Sequence, residues 1–255
     1  MLRVLWEELP YEEFLFVADQ AHVPYGPRST QEVRAFSEGI TRGLLAQGAK
    51  LIMVACNAAS AAALHYLRQT FEEIPIVGME PAVKPAAEHT QSGAVGILAT
   101  PATFQGELYA SVVERFASGV RIFQHTCPGL VAQIEAGHLD TPETRAILEE
   151  ALLPMLSQGI DTVVLGCTHF PFVIPLIQQI AGAGVRVIDP APAVARQARR
   201  VLQERNLLHP IHPWPAPAWN RTRFMTTSDP ARLQAALLQL LDLRASVKFI
   251  QPDDR

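Results

Sequence analysis

The stretch MLSQGIDTVVLGC, residues 155 to 167, decides the fold, because an earlier part of the chain repeats it. Shifting the sequence by 111 residues places LLAQGAKLIMVAC, residues 44 to 56, on this stretch. Over residues 26–83 and 137–194, thirteen of the 58 aligned positions are identical, whereas average residue usage would give about four by chance. The chain therefore contains two related segments, and each of them ends an apolar run in a cysteine.

Short apolar runs recur along the chain, and most are followed by an amphipathic stretch of helical length. The runs are FLFVA (14 to 18), LIMVA (51 to 55), AVGILA (94 to 99), TVVLG (162 to 166) and VRVID (185 to 189). Such alternation is typical of strand and helix units on a parallel sheet. We predict an α/β fold of two pseudo-symmetric, doubly wound parallel-sheet lobes with the active site between them. The predicted lobes are residues 1–85 plus 200–255, and residues 86–199.

Local signals predict where two long helices begin and end. Ser29 and Glu32 have the spacing of a capping box, which opens a helix that runs to about residue 47 and stops at Gly48. A helix from about Thr141 ends at Gly159 in the same way.

The carboxyl-terminal part of the chain begins with a proline-rich segment. IHPWPAPAW, residues 211 to 219, can neither continue a helix nor form a central strand, so we predict an ordered surface connection. A last strand at about 222–226 and a helix at about 230–243 follow it.

Composition excludes several classes of protein. The 255 residues are 49% hydrophobic and 18% charged, as in a compact globular chain. A net charge of −4 and a pI near 6.1 predict no nucleic-acid partner. The sequence has three cysteines without close pairing, and it has neither an apolar run of about 18 residues nor a secretory start. These features predict a cytoplasmic protein that does not bind a membrane.

Cys56 and Cys167 are the candidate catalytic residues. Side chains at the carboxyl ends of parallel strands face the crevice where ligands bind, and the repeat places one thiol on either side of that crevice. A thiolate on one face of a carbon acid can remove a proton, and a thiol on the opposite face can then donate one. This sequence inverts the stereocentre. We expect the adjacent helix starts to lower the pKa of both thiols.

The same reasoning suggests groups that assist the two thiols. A carbanion formed without a cofactor needs hydrogen-bond donors around it, and Asn57, Ser60, Thr100 and Thr168 lie near predicted helix starts. Ser60 serves equally well as a helix-start hydrogen bonder. His169 and Glu135 are candidates to tune Cys167 by hydrogen bonding or by moving a proton.

Four motifs resemble those of a known family in order and spacing. They are VPYGPRS (23 to 29), VACNAAS (54 to 60), GILATPAT (96 to 103) and LGCTHFP (165 to 171). They resemble the motifs of the glutamate racemases, cofactor-independent enzymes of the aspartate/glutamate racemase superfamily that supply D-glutamate for peptidoglycan. The resemblance covers about residues 14 to 243.

The resemblance implies a role for particular residues. Cys56 and Cys167 would be the two acid/base thiols, Cys56 acting on the D-enantiomer and Cys167 on the L-enantiomer, with Glu135 and His169 assisting Cys167. The substrate site would be lined by Tyr25, Gly26, Asn57, Ala58, Thr100, Thr103 and Thr168. The resemblance also implies glutamate as the small-molecule partner, a homodimer, no cofactor and no metal.

The sequence departs from the family pattern in two places. Ala58 stands where the family usually has a threonine that meets the substrate, so one donor is lost. The family also begins with a strand that ends in Asp-Ser-Gly, and residues 1–255 contain no such segment. The repeat agrees, because the shift of 111 puts the counterpart of Thr100 ahead of Met1. We therefore expect an incomplete first lobe with an open strand position, and low stability or activity of the chain as given.

Other interpretations remain open at this point. Cys127 has no counterpart in the repeat and is interpreted as a structural residue. Pyridoxal phosphate would need a lysine, and Lys50, Lys84 and Lys248 have no phosphate-binding context. A relative with the same thiols could racemise another acidic substrate, such as aspartate, hydantoin or a malonate derivative. An inactive homologue would only bind a ligand or a partner protein.

Overall fold

The computed structural model describes residues 1–26, 28–210 and 217–251. The chain divides into two compact units. The first unit holds Met1–Ala55, Ala62–Gly78 and Ala191–Arg255, and the second holds Cys56–Ala61 and Met79–Pro190.

Helices and strands alternate along most of the chain, as the apolar runs predict. From the amino terminus the elements are α1 (Leu2–Glu8), β1 (Phe14–Ala18), α2 (Thr30–Ala46), β2 (Ile52–Val54), α3 (Asn57–Thr70), β3 (Ile76–Gly78), α4 (Val83–His89), β4 (Ala94–Ala99), α5 (Pro101–Gln105) and α6 (Glu107–Phe116). They continue with β5 (Arg121–His125), α7 (Leu130–Glu135), α8 (Pro142–Ser157), β6 (Thr162–Gly166), α9 (Ile174–Ala181), β7 (Arg186–Ile188), α10 (Ala191–Glu204), β8 (Thr222–Thr226), α11 (Pro230–Leu241) and β9 (Val247–Phe249).

The second unit is built on one parallel sheet in the order β5-β4-β6-β7. Every residue of β4 and of β6 is buried, as expected for continuous apolar strands with both faces covered. Val95 and Ile97 of β4 belong to a core cluster that also contains Tyr109 and Val112 of α6. This sheet places Thr100 and Cys167 directly after its two central strands.

Among its described residues, the first unit contains five strands in two separate parallel sheets. One sheet has the order β1-β8-β9, and the other pairs β2 with β3. Among the described residues, no ladder joins β1 to β2. All five apolar residues of β1 are only partly buried, in contrast to the fully buried β4.

The predicted helix ends are confirmed. Ser29 accepts a hydrogen bond from the Glu32 N–H at 3.2 Å, and the Glu32 carboxylate accepts one from the Ser29 N–H at 2.9 Å. This reciprocal pair is a capping box. Gly48 and Gly159 follow α2 and α8 with φ of +87° and +78°, a conformation that glycine adopts without steric cost.

The α/β fold with parallel sheets is confirmed, and each predicted apolar run contains a strand. The sequence did not indicate β3, β5 and β9, which are short or carry exposed residues. Helix α11 ends at Leu241 rather than at 243, because Asp242 takes a left-handed conformation with φ of +52°. Residues 211–216 of the predicted proline-rich connection lie outside the described residues.

The division into units differs from the predicted lobes at two places. Helix α10 belongs to the first unit, because it packs on α1 and β3, whereas the predicted lobe boundary after residue 199 put most of it in the second. Cys56–Ala61 group with the second unit although β2, which precedes them, belongs to the first. Both candidate thiols therefore lie in the second unit.

Candidate active site

Cys167 lies at the end of the central strand β6. The strand ends at Gly166, and the Cys167 carbonyl accepts a hydrogen bond from the Phe170 N–H at 3.2 Å, which turns the chain into a short 3-10 helix over Phe170–Val173. A Cβ on Gly166 would lie 2.7 Å from the Cβ of Ala99, so β6 approaches β4 more closely there than a larger residue allows. The tight turn holds the Cys167 side chain in a buried position.

His169 and Glu135 form a chain of contacts that ends at Cys167. The Nδ1 of His169 lies 3.8 Å from the Sγ of Cys167, and its Nε2 lies 3.2 Å from Oε1 of Glu135, the last residue of α7. Burial lowers the pKa of His169, but the contacts with Cys167 and Glu135 outweigh it and raise that pKa to about 9. At neutral pH His169 is therefore an imidazolium, which stabilises negative charge on the neighbouring sulfur.

Cys56 lies directly before α3 and is only partly buried. Its sulfur accepts a long hydrogen bond of 3.5 Å from the Ala59 N–H. Burial nevertheless raises the pKa of Cys56 to about 11, and the charge of Cys167 raises it further. The sequence-based expectation that the helix start lowers this pKa is wrong for Cys56, because desolvation outweighs the backbone donors.

Asn57 stands next to Cys56 with an unsatisfied side chain. The residue is 3% exposed, and neither Oδ1 nor Nδ2 has a hydrogen-bond partner among the described residues. A buried polar group without a partner costs about 1–3 kcal/mol, so such groups in native proteins usually await a ligand or water. The binding role of Asn57 stays a prediction, which this unsatisfied amide supports. Ala58 beside it is also buried.

Two threonines follow the other central strand of the same sheet. Thr100 precedes α5, and its hydroxyl lies 3.1 Å from the hydroxyl of Thr103, which is fully buried. Thr168 lies partly buried between Cys167 and His169. The second unit thus brings together nine of the eleven predicted site residues; the remaining two are Tyr25 and Gly26.

Tyr25 and Gly26 belong to the first unit. The Tyr25 hydroxyl donates to Oδ2 of Asp19 at 2.5 Å. The same carboxylate also accepts from Thr227 at 2.7 Å and contacts Nδ1 of His22 at 2.8 Å. Sequence analysis missed this network; its only signal was a polar residue, Asp19, directly after a predicted strand. The binding roles of Tyr25 and Gly26 stay predictions.

Comparison with known proteins identifies the family. Residues 7–198 match the model of the Asp/Glu/Hydantoin racemase family. A glutamate racemase of Roseiflexus sp. is 49% identical over 243 residues, which cover 95% of this chain and 88% of the relative. The chain belongs to the glutamate racemase family. Glutamate racemases are isomerases, and this chain is therefore an enzyme of that class.

Solved structures of glutamate racemases have the same fold. The enzyme from Thermus thermophilus, in complex with beta-chloro-D-alanine, is 32% identical with a TM-score of 0.82, and the match covers 100% of this chain and 93% of that one. The enzyme from Francisella tularensis, in complex with D-glutamate, is 25% identical with a TM-score of 0.84 and the same coverage.

Two further residues are explained by the structure of this racemase-family chain. Cys127 is buried with φ of +46°, and burial followed by the charges of Cys167 and Glu150 raises its pKa to about 12. It is thus a buried thiol whose own pKa disfavours the reactive form. The Ser60 hydroxyl accepts a hydrogen bond from the Met79 N–H, directly after β3, at 2.9 Å. Both sequence-based interpretations of Ser60, as a helix-start hydrogen bonder and as a substrate group, stay predictions.

The described part of the chain was also searched for metal ligands and membrane-spanning helices. Over residues 1–26, 28–210 and 217–251, no three His, Cys, Asp or Glu side chains are grouped so as to hold a metal ion. Within the same ranges, no helix is long and apolar enough to cross a bilayer.

Proposed function

We propose that this chain interconverts L- and D-glutamate by direct proton transfer between two thiols, without a cofactor. In the L to D direction the Cys167 thiolate takes the Cα proton and becomes a thiol, and the electron pair of the C–H bond passes into the substrate's carboxylate. The Cys56 thiol then gives its proton to the opposite face of Cα and becomes a thiolate. The reverse reaction exchanges these roles.

The protonation state of Cys56 suits the L to D direction. A pKa of about 11 keeps Cys56 protonated at neutral pH, as an acid requires. The imidazolium of His169 lies 3.8 Å from the sulfur of Cys167, the group to which the proposal gives the role of base. Glu135 holds this imidazolium in its charged form from the opposite ring nitrogen.

Hydrogen-bond donors near the thiols are suited to the substrate's carboxylates. The Asn57 amide is buried without a partner in the described residues, so a ligand that accepts its N–H would remove the cost of desolvation. Thr100, Thr103 and Thr168 contribute hydroxyl groups from the same unit. Such fixed donors stabilise the negative charge that develops as the Cα proton leaves.

One observation carries the proposal more than any other. The contact chain from Cys167 through His169 to Glu135 lies in the same unit as a second cysteine, Cys56, whose pKa responds to the charge of Cys167. A protein that only binds glutamate needs no pair of thiols in one unit. This arrangement favours an active racemase over an inactive homologue.

Serine substitution of each cysteine tests the proposal. Cys56→Ser and Cys167→Ser should each lower the racemisation rate at least about a hundredfold, because one proton-transfer partner is lost. In D2O, Cys56→Ser should still exchange the Cα proton of L-glutamate, and Cys167→Ser that of D-glutamate. Cys127→Ser is the matched control and should retain turnover. Unchanged racemisation in either of the first two variants would refute the two-thiol mechanism.

The substrate itself is tested with a panel of amino acids. In an assay by circular dichroism, the signal of L-glutamate should decay toward zero, and the signal of L-aspartate should decay much more slowly. Calorimetry with L-glutamate, run beside the turnover assay, separates an enzyme from a binding protein. Binding without turnover would favour the inactive homologue, and faster racemisation of another substrate would replace glutamate.

The cellular role follows from the proposed reaction. D-Glutamate made in the cytoplasm would enter peptidoglycan synthesis and so support cell wall biogenesis and cell shape, as the family resemblance implies. The resemblance also implies a homodimer, which sedimentation velocity measures directly. A depletion strain that grows normally without added D-glutamate would contradict the cellular role.

A further inference from the structure

Asp19, the residue directly after β1, holds three other side chains with one buried carboxylate. Its side chain is 6% exposed. Oδ1 accepts a hydrogen bond from the Thr227 hydroxyl at 2.7 Å and lies 2.8 Å from Nδ1 of His22. Oδ2 accepts a hydrogen bond from the Tyr25 hydroxyl at 2.5 Å. Hydrogen bonds to a carboxylate are about twice as strong as those between neutral groups, so Asp19 is the centre of a strong local network.

One part of this network is fixed to the sheet of the first unit. The Thr227 N–H donates to the Ala18 carbonyl at 3.1 Å, which continues the pairing of β8 with β1. The Thr227 hydroxyl, which donates to Asp19, also accepts a hydrogen bond from the Ala21 N–H at 3.1 Å. Asp19 and Thr227 therefore form a fixed platform at the carboxyl ends of two neighbouring parallel strands.

The other two partners of Asp19, His22 and Tyr25, belong to the loop that joins β1 to α2. Inside this loop, the His22 N–H donates to the Asp19 carbonyl at 3.2 Å and the Arg28 N–H donates to the Tyr25 carbonyl at 3.0 Å. Both bonds join residues only three positions apart, so neither bond attaches the loop to the rest of the unit. The hydrogen bonds to the Asp19 carboxylate make that attachment.

Aromatic stacking adds contacts to α2 but does not replace these hydrogen bonds. The His22 ring stacks on the Phe36 ring of α2, with centroids 3.8 Å apart and an angle of 11° between the planes. The Tyr25 ring lies 6.5 Å from the same ring at 26°. Because hydrogen bonds are directional, the bonds to Asp19 select one orientation of both rings on Phe36.

We propose that Asp19 is a positioning residue for glutamate binding, which holds Tyr25 and Gly26 in the conformation that meets the substrate. This inference rests on the proposed function and on the predicted binding role of these two residues. Open space beside Gly26 supports it, because no described atom lies within 4 Å of the position that a Cβ would take there. A loop that binds both enantiomers and the transition state alike affects KM and not kcat.

Replacing Asp19 by asparagine tests the proposal. Asparagine has nearly the same shape, but its amide nitrogen cannot accept a hydrogen bond, so part of the network loses its acceptor. Asp19→Asn should raise KM for L- and D-glutamate about tenfold and leave kcat within about threefold. The matched control is Thr222→Val, which removes the hydroxyl that accepts from Nε1 of Trp6 at 2.9 Å in the same unit. It should lower the melting temperature and leave KM unchanged.

A double-mutant cycle shows whether Asp19 acts through Tyr25. Tyr25→Phe should raise KM about fivefold, and the double variant should reach no more than the tenfold or so of Asp19→Asn alone. Independent effects would multiply to about fiftyfold and would overturn the proposal. Thr227→Val removes one donor to Asp19 and should raise KM about threefold; it decides the matter if Asp19→Asn does not fold.

Hydrogen exchange gives a second measurement that needs no glutamate. Exchange of residues 20–26 should be at least about tenfold faster in Asp19→Asn than in the original chain or in Thr222→Val. Equal exchange in the three proteins would overturn the proposal, as would equal KM changes in Asp19→Asn and Thr222→Val. An unchanged KM in Asp19→Asn, beside an original chain that racemises glutamate, would overturn the role of Asp19 alone. An original chain that neither binds nor racemises glutamate would refute the proposed function, and this inference with it.

Discussion

Replacing Glu135 by glutamine should lower the pKa of His169 by about one pH unit. The pKa of this histidine is about 9 rather than 6.5, because its contacts with Cys167 and Glu135 outweigh burial. Glutamine keeps the size of the side chain and can still accept from Nε2, but it removes the negative charge 3.2 Å away. A charged acceptor is about twice as strong as a neutral one. With both side chains about one third exposed, the loss is about 1 kcal/mol, which corresponds to about one pH unit.

The titration of the His169 ring, followed by NMR, measures this change directly. The midpoint should fall from about 9 to about 8 in Glu135→Gln. It should stay in place in Glu88→Gln, which removes a surface ion pair with Lys84 instead. An unchanged midpoint in Glu135→Gln would refute the proposed role of Glu135.

The same substitution has a defined effect on stability. The pKa of His169 is raised in the folded protein, so protonation of His169 stabilises the folded state. This stabilisation is complete below pH 6.5 and is lost as the pH rises through about 9. Glu135→Gln should therefore lower the free energy of unfolding by about 1 kcal/mol at pH 6 and change it little at pH 10. Urea denaturation at the two pH values measures the difference, and an equal loss at both would contradict the linkage.

Three further substitutions test the packing and binding contacts. Gly166→Ala should destabilise the protein by about 1–3 kcal/mol, because its Cβ would lie 2.7 Å from the Cβ of Ala99. The control is Gly184→Ala, which has open space around it and should be nearly neutral in calorimetry. Equal losses of stability in the two variants would refute the argument. Tyr25→Phe should cost about 1 kcal/mol in urea denaturation through loss of its hydrogen bond to Asp19, and an unchanged stability would show that this bond contributes nothing. Ala58→Thr restores the donor of the family pattern and should lower KM for glutamate about fivefold, because one hydrogen bond contributes about 1 kcal/mol to binding. A raised KM at unchanged melting temperature would contradict a substrate contact at this position.

Local sequence signals predicted much of the fold. β4 is found at residues 94–99 and β6 at residues 162–166, the bounds of the predicted apolar runs, because a buried parallel strand must be apolar on both faces. Capping residues located α2 and α8 for the same kind of local reason. The short strands β5 and β9 escaped prediction because their residues are partly exposed and lack a continuous apolar pattern.

The chemistry of the site could be predicted only in part. Cys167 and His169 are two residues apart in the sequence, so their contact follows from local geometry. The contact between His169 and Glu135 joins residues 34 positions apart, so the sequence named both as candidates to assist Cys167 without indicating that they contact each other. The raised pKa of Cys56 was not predictable, because desolvation depends on which segments surround the sulfur and not on the helix start beside it.

Racemisation of L-glutamate in D2O tests the two-thiol mechanism most directly. At low conversion, mass spectrometry of the separated enantiomers should find deuterium at Cα in nearly all of the D-glutamate and in almost none of the remaining L-glutamate, because Cys56 delivers a solvent-derived proton to the opposite face. Deuterium entering the L-glutamate pool as fast as D-glutamate forms would indicate a single base and contradict the account.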